Sequence, residues 1–208
     1  MVRGERAART VGSWPCYADF SSFHSFLPTM KRFFGVLSLF LVSGPLAAQS
    51  VNAGTIDPCG TPAFVRKLAD PSGLNLVDAI SVTNLPTIGN QNFEVKLDDP
   101  ADTCGITPGV DTWLLVAEEP LQNILVAGAG CAPGSPGLLV IDVTSDSYHV
   151  SGPSVWAGPG FPACHSLVIP DSRDLCGIRC VGQGLFIDPS GPSGPFVLTE
   201  PLRFGVGS

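Results

Sequence analysis

Two histidines, His149 and His165, lie beyond the N-terminal quarter of the chain, and imidazole is the one side chain whose unperturbed titration falls near neutral pH. Ser166, Asp171 and Asp174 are close to His165 in sequence, which raises the question of a hydrolytic triad. A triad needs nucleophile, base and orienting acid held together. No Gly-x-Ser-x-Gly elbow is present to impose that geometry. The expectation is that both histidines sit at the surface beside strands and that no residue is catalytic. Cys164, His165, Cys176 and Cys180 have the right types to ligate zinc. Adjacent ligands at 164 and 165 are awkward around a tetrahedral ion, and paired Cys-x-x-Cys spacing is missing.

Loop carboxylates offer a different chemistry. Asp98, Asp99 and Asp102 form one group, and Asp142 and Asp146 another. Oxygen ligands on loops suit Ca²⁺, the one cofactor these residues would hold, although neither group matches a full EF-hand loop. Aspartate is also common in turns because its carboxylate bonds the nearby backbone. Trp113 and Trp156 are candidate platforms for stacking on a sugar. Trp113 stands in an apolar run and reads as core; Trp156, close to Pro153, Gly158 and Pro159, is the candidate for an exposed, ligand-binding aromatic.

Whatever these residues do, β-structure must position them. The 208 residues include 24 Gly and 20 Pro, spread without a period. Such punctuation breaks helices and supplies turns. Charged residues make up 14% and hydrophobic residues 44%, which excludes a generic disordered chain. Phe93, Val95 and Leu97 alternate with Glu94, Lys96 and Asp98, the pattern of a half-buried strand. Thr112–Ala117, Asn123–Ala127 and Leu138–Val143 have the length and composition of buried strands. Leu167–Ile169, Gly184–Ile187 and Phe196–Leu198 follow, and Leu202, Phe204 and Val206 alternate at the end. Residues 74–83 fit a strand less cleanly, and Asp171–Leu175 reads as one helical turn after Pro170. The expected fold is all-β: a β-sandwich, Ig-like or jelly-roll-like, of about eight to ten short strands with disulfides.

Charge and cysteines constrain location and partners. Residues 1–48 hold five of the eleven basic residues and two of the eighteen acids, so the remainder carries six against sixteen, a net of −10. Nucleic acid would be repelled by that surface. From Met30, Lys31 and Arg32 precede an apolar stretch, Phe33–Val42, and then Ser43, Gly44, Pro45, Ala47 and Ala48. Positive, apolar and small in that order is the pattern of a cleaved export signal. Ten apolar residues are half of the roughly 20 a spanning helix needs, so no membrane span is expected. The reading is therefore residues 1–29 as an over-extended start, 30–48 as signal peptide, 49–62 as a linker-like opening and 63–208 as the sandwich domain. Cys59, Cys104, Cys131, Cys164, Cys176 and Cys180 remain after processing. In an exported chain they read as three disulfides, with fifteen pairings open. Cys104–Cys131 is the preferred bridge, because each cysteine flanks a loop next to the central strands. Cys176 and Cys180 should not pair if their segment is extended, because the span is too long.

The order of short motifs adds a resemblance. The segments are Asp57-Pro-Cys59-Gly60-Thr-Pro62, Pro86-Thr-Ile-Gly89-Asn-Gln-Asn-Phe93, Trp113-Leu-Leu-Val116, Gly130-Cys131, Leu167-Val-Ile-Pro170, Leu175-Cys-Gly177 through Gln183, and Leu198-Thr-Glu-Pro-Leu-Arg-Phe-Gly205. In that order the chain resembles an all-β C-terminal module that recurs in exported proteins of planctomycete-type bacteria. The resemblance covers residues 57–208 and implies no activity, so it carries over no functional residue. Cys164, Cys176 and Cys180 depart from the pattern. Together these readings imply an exported, non-catalytic structural or interaction module, secreted or at the cell surface, with an extracellular protein or glycan as partner. The alternative is a carbohydrate- or calcium-binding sandwich built on Trp156 and the loop aspartates.

Overall fold

The computed structural model describes residues 59–208 apart from Pro71 and Pro120. The expected 1–29 extension, the 30–48 signal and most of the 49–62 opening lie outside the described residues. The chain forms ten strands: β1 Phe64–Lys67, β2 Ile80–Val82, β3 Phe93–Leu97, β4 Val110–Glu118, β5 Ile124–Val126, β6 Gly137–Leu139, β7 His149–Trp156, β8 Ala163–Leu167, β9 Arg179–Ile187 and β10 Phe196–Gly205. One 3₁₀ turn, Arg173–Leu175, stands where a helical turn was expected, and the Ser172 side chain accepts from the Asp174 N–H at its start.

A five-stranded sheet, ordered β1-β10-β9-β4-β7, faces a three-stranded sheet ordered β2-β3-β8; every ladder is antiparallel. Period-two alternation makes the sandwich. Phe93, Val95 and Leu97 of β3 point inward and meet Leu114 and Val116 of β4, Phe186 of β9, and Leu202 and Phe204 of β10 in one buried cluster. The Phe93 and Phe204 rings join the sheets with centroids 5.4 Å apart. Gly184 shows how closely the layers approach: a Cβ there would lie 2.5 Å from Cδ2 of Leu97, so the leucine occupies the space a side chain would need.

The five-stranded sheet is covered on part of its other face as well. Leu115 and Ala117 of β4 and Val181 of β9 point outward from the sandwich, yet they are buried beneath Leu138, Val140 and Ile141. Buried amides hold this cover in place. Gln183 accepts from the Val140 N–H at 3.0 Å and donates to the carbonyls of Leu138 and Thr199 at 2.8 and 3.0 Å. Asn75 exchanges two 2.8 Å bonds with the Leu138 backbone, as a strand neighbour would. The oxygen and the nitrogen of each amide are both bonded to the backbone, as burial of an amide requires.

Asn123–Ala127 was expected to be a buried strand. It contributes β5 to a two-stranded ladder with β6 and leaves Ile124 and Leu125 exposed. Phe196–Leu198 and the final alternating run are one strand, β10, interrupted by a register shift between Leu198 and Pro201. Strand β7 contains Gly152 and Pro153, residues that argue against a strand interior. As an edge strand it tolerates proline, and the extra residue is absorbed where its pairing with β4 shifts between Thr112 and Leu114.

The expected Cys104–Cys131 bridge is present, with Cα atoms 4.9 Å apart. Cys176 pairs with Cys59 rather than Cys180, with a Cα separation of 5.2 Å. Cys164 is bonded rather than free. The reading of all six cysteines as bridged fails at Cys180, a half-buried free thiol. Its strand register sets it opposite Glu118 and Phe204, with no cysteine across the ladder. Burial, with Glu118 and Glu119 adding to it, pushes this thiol up to about 11. It is protonated at neutral pH and correspondingly unreactive.

Candidate interaction surface

The residues that looked most able to do chemistry are largely tied into the fold. Trp156 was expected to be exposed. It is fully buried, at 0% exposure, because it is the last residue of β7 and its strand position points inward. Its indole packs edge-on against Phe186 with centroids 5.6 Å apart. Its Nε1–H donates to Asp98 at 2.8 Å, which joins two sequence candidates in one structural contact. The same carboxylate accepts from the Gly160 N–H at 3.2 Å, linking the β3–β4 loop to the β7–β8 loop.

The other loop aspartates behave similarly. Asp99 is buried and accepts from the N–H groups of Thr103 and Cys104 at 2.8 and 3.1 Å. Asp102 is exposed in the same turn, with a φ of 52°. Asp142 accepts from the Thr144 hydroxyl and N–H at 2.7 and 2.9 Å, which hold its carboxyl below the usual range; Asp146 is exposed. Local turn bonding therefore accounts for Asp99 and Asp142, and the long-range contacts to Trp156 and Gly160 account for Asp98. Among the described residues no group of three or more His, Cys, Asp or Glu is placed to hold a metal ion. In particular Cys164, His165, Cys176 and Cys180 do not form such a group.

His149 is exposed on β7, as expected. His165 was expected at the surface and is instead 2% exposed, on the core-facing side of β8. Its Nε2 lies 3.0 Å from Oγ1 of Thr112 on β4. The Thr112 hydroxyl gives its one hydrogen to the Ser154 carbonyl at 2.7 Å. Nε2–H is therefore the donor to Thr112, which leaves Nδ1 buried without a hydrogen-bond partner. The chain His165–Thr112–Ser154 connects β8 to β4 and the edge strand β7. Burial lowers the imidazole to about 4, against a smaller opposing effect of the Ser151 backbone. At neutral pH the ring is an uncharged cross-sheet strut.

One end of the sandwich gathers the loops at residues 98–109, 157–162 and 188–195. Antiparallel pairing requires this, since β3, β7 and β9 end there and β4, β8 and β10 begin. The loops are fixed to one another. Asp188 accepts from the Thr107 N–H at 2.7 Å, the Gly109 N–H donates to the Trp156 carbonyl at 2.7 Å, and the Ser193 hydroxyl donates to the Cys104 carbonyl at 2.9 Å. Phe161 projects from the β7–β8 loop, 62% exposed. These three loops contain Asp98, Asp99, Asp102 and Asp188 but no Lys, Arg or His.

Next to this end, the outer face of the five-stranded sheet is open. Val155, Asp111, Ile187 and Phe196 form one row across β7, β4, β9 and β10. Val155 is 58% exposed and Phe196 39%; Asp111 is exposed and Ile187 half-buried. In the next row Trp113 stands opposite Leu185, both half-buried. Trp113 was expected in the core, but it shares the outward side with Asp111, and the cover over that side begins only at Leu115. Its indole lies against the backbone of Gly152, where a Cβ would be 3.1 Å from the ring. Asp111 takes part in none of the salt bridges among the described residues. The sequence signal for this surface is Asp111-x-Trp113 on one strand; it becomes readable only once the covered end of β4 is known.

A separate cleft of about 220 Å³ lies near Leu68, Asp70, Asn75, Leu121, Leu138 and Val140. Two of its polar side chains are already bonded within the fold: Asp70 accepts from the N–H groups of Ser72, Leu74 and Asn75, and Asn75 is bonded to Leu138. The arrangement that can meet another molecule is therefore the open sheet face, with the acidic, cross-braced loop end beside it. No protein-family model, curated protein or solved structure matches this chain.

Proposed function

We propose that the mature chain is an exported, disulfide-bonded interaction module that works without catalysis. The observation that carries this reading is the open half of the outer sheet face, where Val155, Ile187, Phe196 and Trp113 place apolar surface around the exposed Asp111. Exposed apolar patches beside polar groups mark association surfaces. Loops already fixed by Asp98, Asp188 and Ser193 reduce the ordering cost of binding. Two bridges, Cys59–Cys176 and Cys104–Cys131, suit an oxidising compartment, and no helix among the described residues is long and apolar enough to cross a membrane. The export pattern at 30–48 and the resemblance to modules of exported bacterial proteins support the same location.

A glycan is the second reading, now centred on Trp113 rather than Trp156, because Trp113 is the tryptophan that shares a face with an exposed carboxylate. The test is to produce the full chain in an exporting host. We expect processed protein beginning within residues 49–53, and no turnover on esterase, glycosidase and protease panels. Retention in the cytoplasm would overturn the exported reading. Turnover lost on replacing His149 or an exposed carboxylate would overturn the non-catalytic one. A glycan array with and without EDTA separates the two partner classes.

A further inference from the structure

We propose that the open face around Asp111 and Trp113 receives an arginine-bearing, otherwise apolar polypeptide segment of a partner protein. The inference rests on the interaction-module reading and names its surface and ligand chemistry. Asp111 and Trp113 are two residues apart on β4 and point the same way, which separates their Cα atoms by about 6.6 Å. A guanidinium is flat. It can lie over an indole within about 6 Å of the ring centroid while its edge donates to a carboxylate. Lysine carries the same charge as a point and cannot do both as well. Around this pair, Val155, Ile187, Leu185 and Phe196 present apolar surface.

Charge selects among the candidate occupants. Asp98, Asp99, Asp102 and Asp188 at the adjacent loop end add a negative field that no basic side chain of those loops offsets. A second copy of this chain would bring the same acidic end against itself, and like charges opposed across an interface are costly. A neutral glycan would use the Trp113 ring but gain nothing from that field. A cationic, apolar segment uses every feature of the face.

The experiment measures binding of the full chain to fluorescent peptides by anisotropy. Each peptide has one variable residue between leucines: arginine, lysine, glutamate or citrulline, the last a neutral ureido analogue of arginine. The arginine peptide should bind best, citrulline should lose about five- to tenfold, and added salt should weaken the arginine and lysine peptides but not the citrulline one. Asp111→Asn should remove the preference for arginine over citrulline. Val155→Lys should weaken arginine binding through repulsion, and the exposed control Asp171→Asn should leave it unchanged. Circular dichroism and melting of each variant confirm folding, since the three altered side chains are exposed. Unchanged discrimination in Asp111→Asn, equal binding of the glutamate peptide, or no peptide binding at all would overturn the proposal. In the last case, retention on the glycan array would leave the interaction-module reading standing and remove the arginine assignment alone.

Discussion

Replacing Trp156 with alanine should destabilise the domain by about 3–5 kcal/mol, the range for truncating a fully buried large aromatic. The indole fills the core beside Phe186 and is 0% exposed, so its removal opens a cavity in the cluster that joins the two sheets. It also leaves Asp98 with the Gly160 N–H as its remaining partner. Trp156→Phe separates the contributions. That variant keeps most of the packing, loses the Nε1–H bond to Asp98, and should lose about 1–3 kcal/mol. Urea unfolding of the disulfide-intact full chain measures both. A Trp156→Ala variant as stable as the parent would mean that the tryptophan lies on the surface, as its Gly- and Pro-rich neighbourhood suggests.

The second large effect is acid-dependent and centres on His165. Its imidazole titrates at about 4 in the folded protein, below an ordinary value of 6.5. The unfolded chain therefore binds this proton first as pH falls. Stability from His165 is complete above about pH 6.5 and is lost on descent to about pH 4, below which both states are protonated. A depression of that size corresponds to roughly 3 kcal/mol. The groups on neighbouring strands do not offset it. Glu94 and Lys96 of β3 alternate with the inward Val95 that pairs with His165, Asp111 and Glu118 of β4 are exposed, and His149 of β7 is exposed. His165→Gln keeps a donor for Thr112 but does not titrate. Unfolding free energies at about pH 7 and about pH 4.5 should differ by roughly 2–3 kcal/mol less in this variant than in the parent. Equal acid sensitivity in the two proteins would refute a buried, neutral His165.

What the sequence could reveal depended on how local its causes were. The alternation of Phe93, Val95 and Leu97 needs only a strand with one wet face, so it was readable and correct. Cys104–Cys131 was also accessible, because both cysteines flank the strongly apolar β4 in chain order. The two tryptophans exchanged roles for reasons that single residues do not show. Gly158 and Pro159 signal a loop near Trp156, but the strand ends on an inward position just before that loop begins. Trp113 lies in a run of apolar residues because β4 is covered on both faces from Leu115 onward, and the second cover stops short of Trp113. His165 is invisible as a core residue until β8 is paired with β3 and Val95 fixes its inward side. The exception at Cys180 is likewise a matter of register: no cysteine stands across the ladder from it.

Trp156 is buried and bonded to the half-buried Asp98, whereas Trp113 and Asp111 lie on the open sheet face proposed to bind a partner. Hydroxyl-radical footprinting of the native full chain, read by peptide mass spectrometry, tests that division in one measurement. Oxidation follows side-chain exposure, and the two tryptophans can be separated into different peptides by cleavage between β4 and β7. Trp113 should be oxidised in the native protein, and Trp156 should be protected until the chain is unfolded. A bound arginine peptide should lower oxidation at Trp113, Val155 and Phe196 together while leaving the exposed Phe161 unchanged. Oxidation of Trp156 in the native protein, with Trp113 protected, would contradict the fold assignment and the surface built on it.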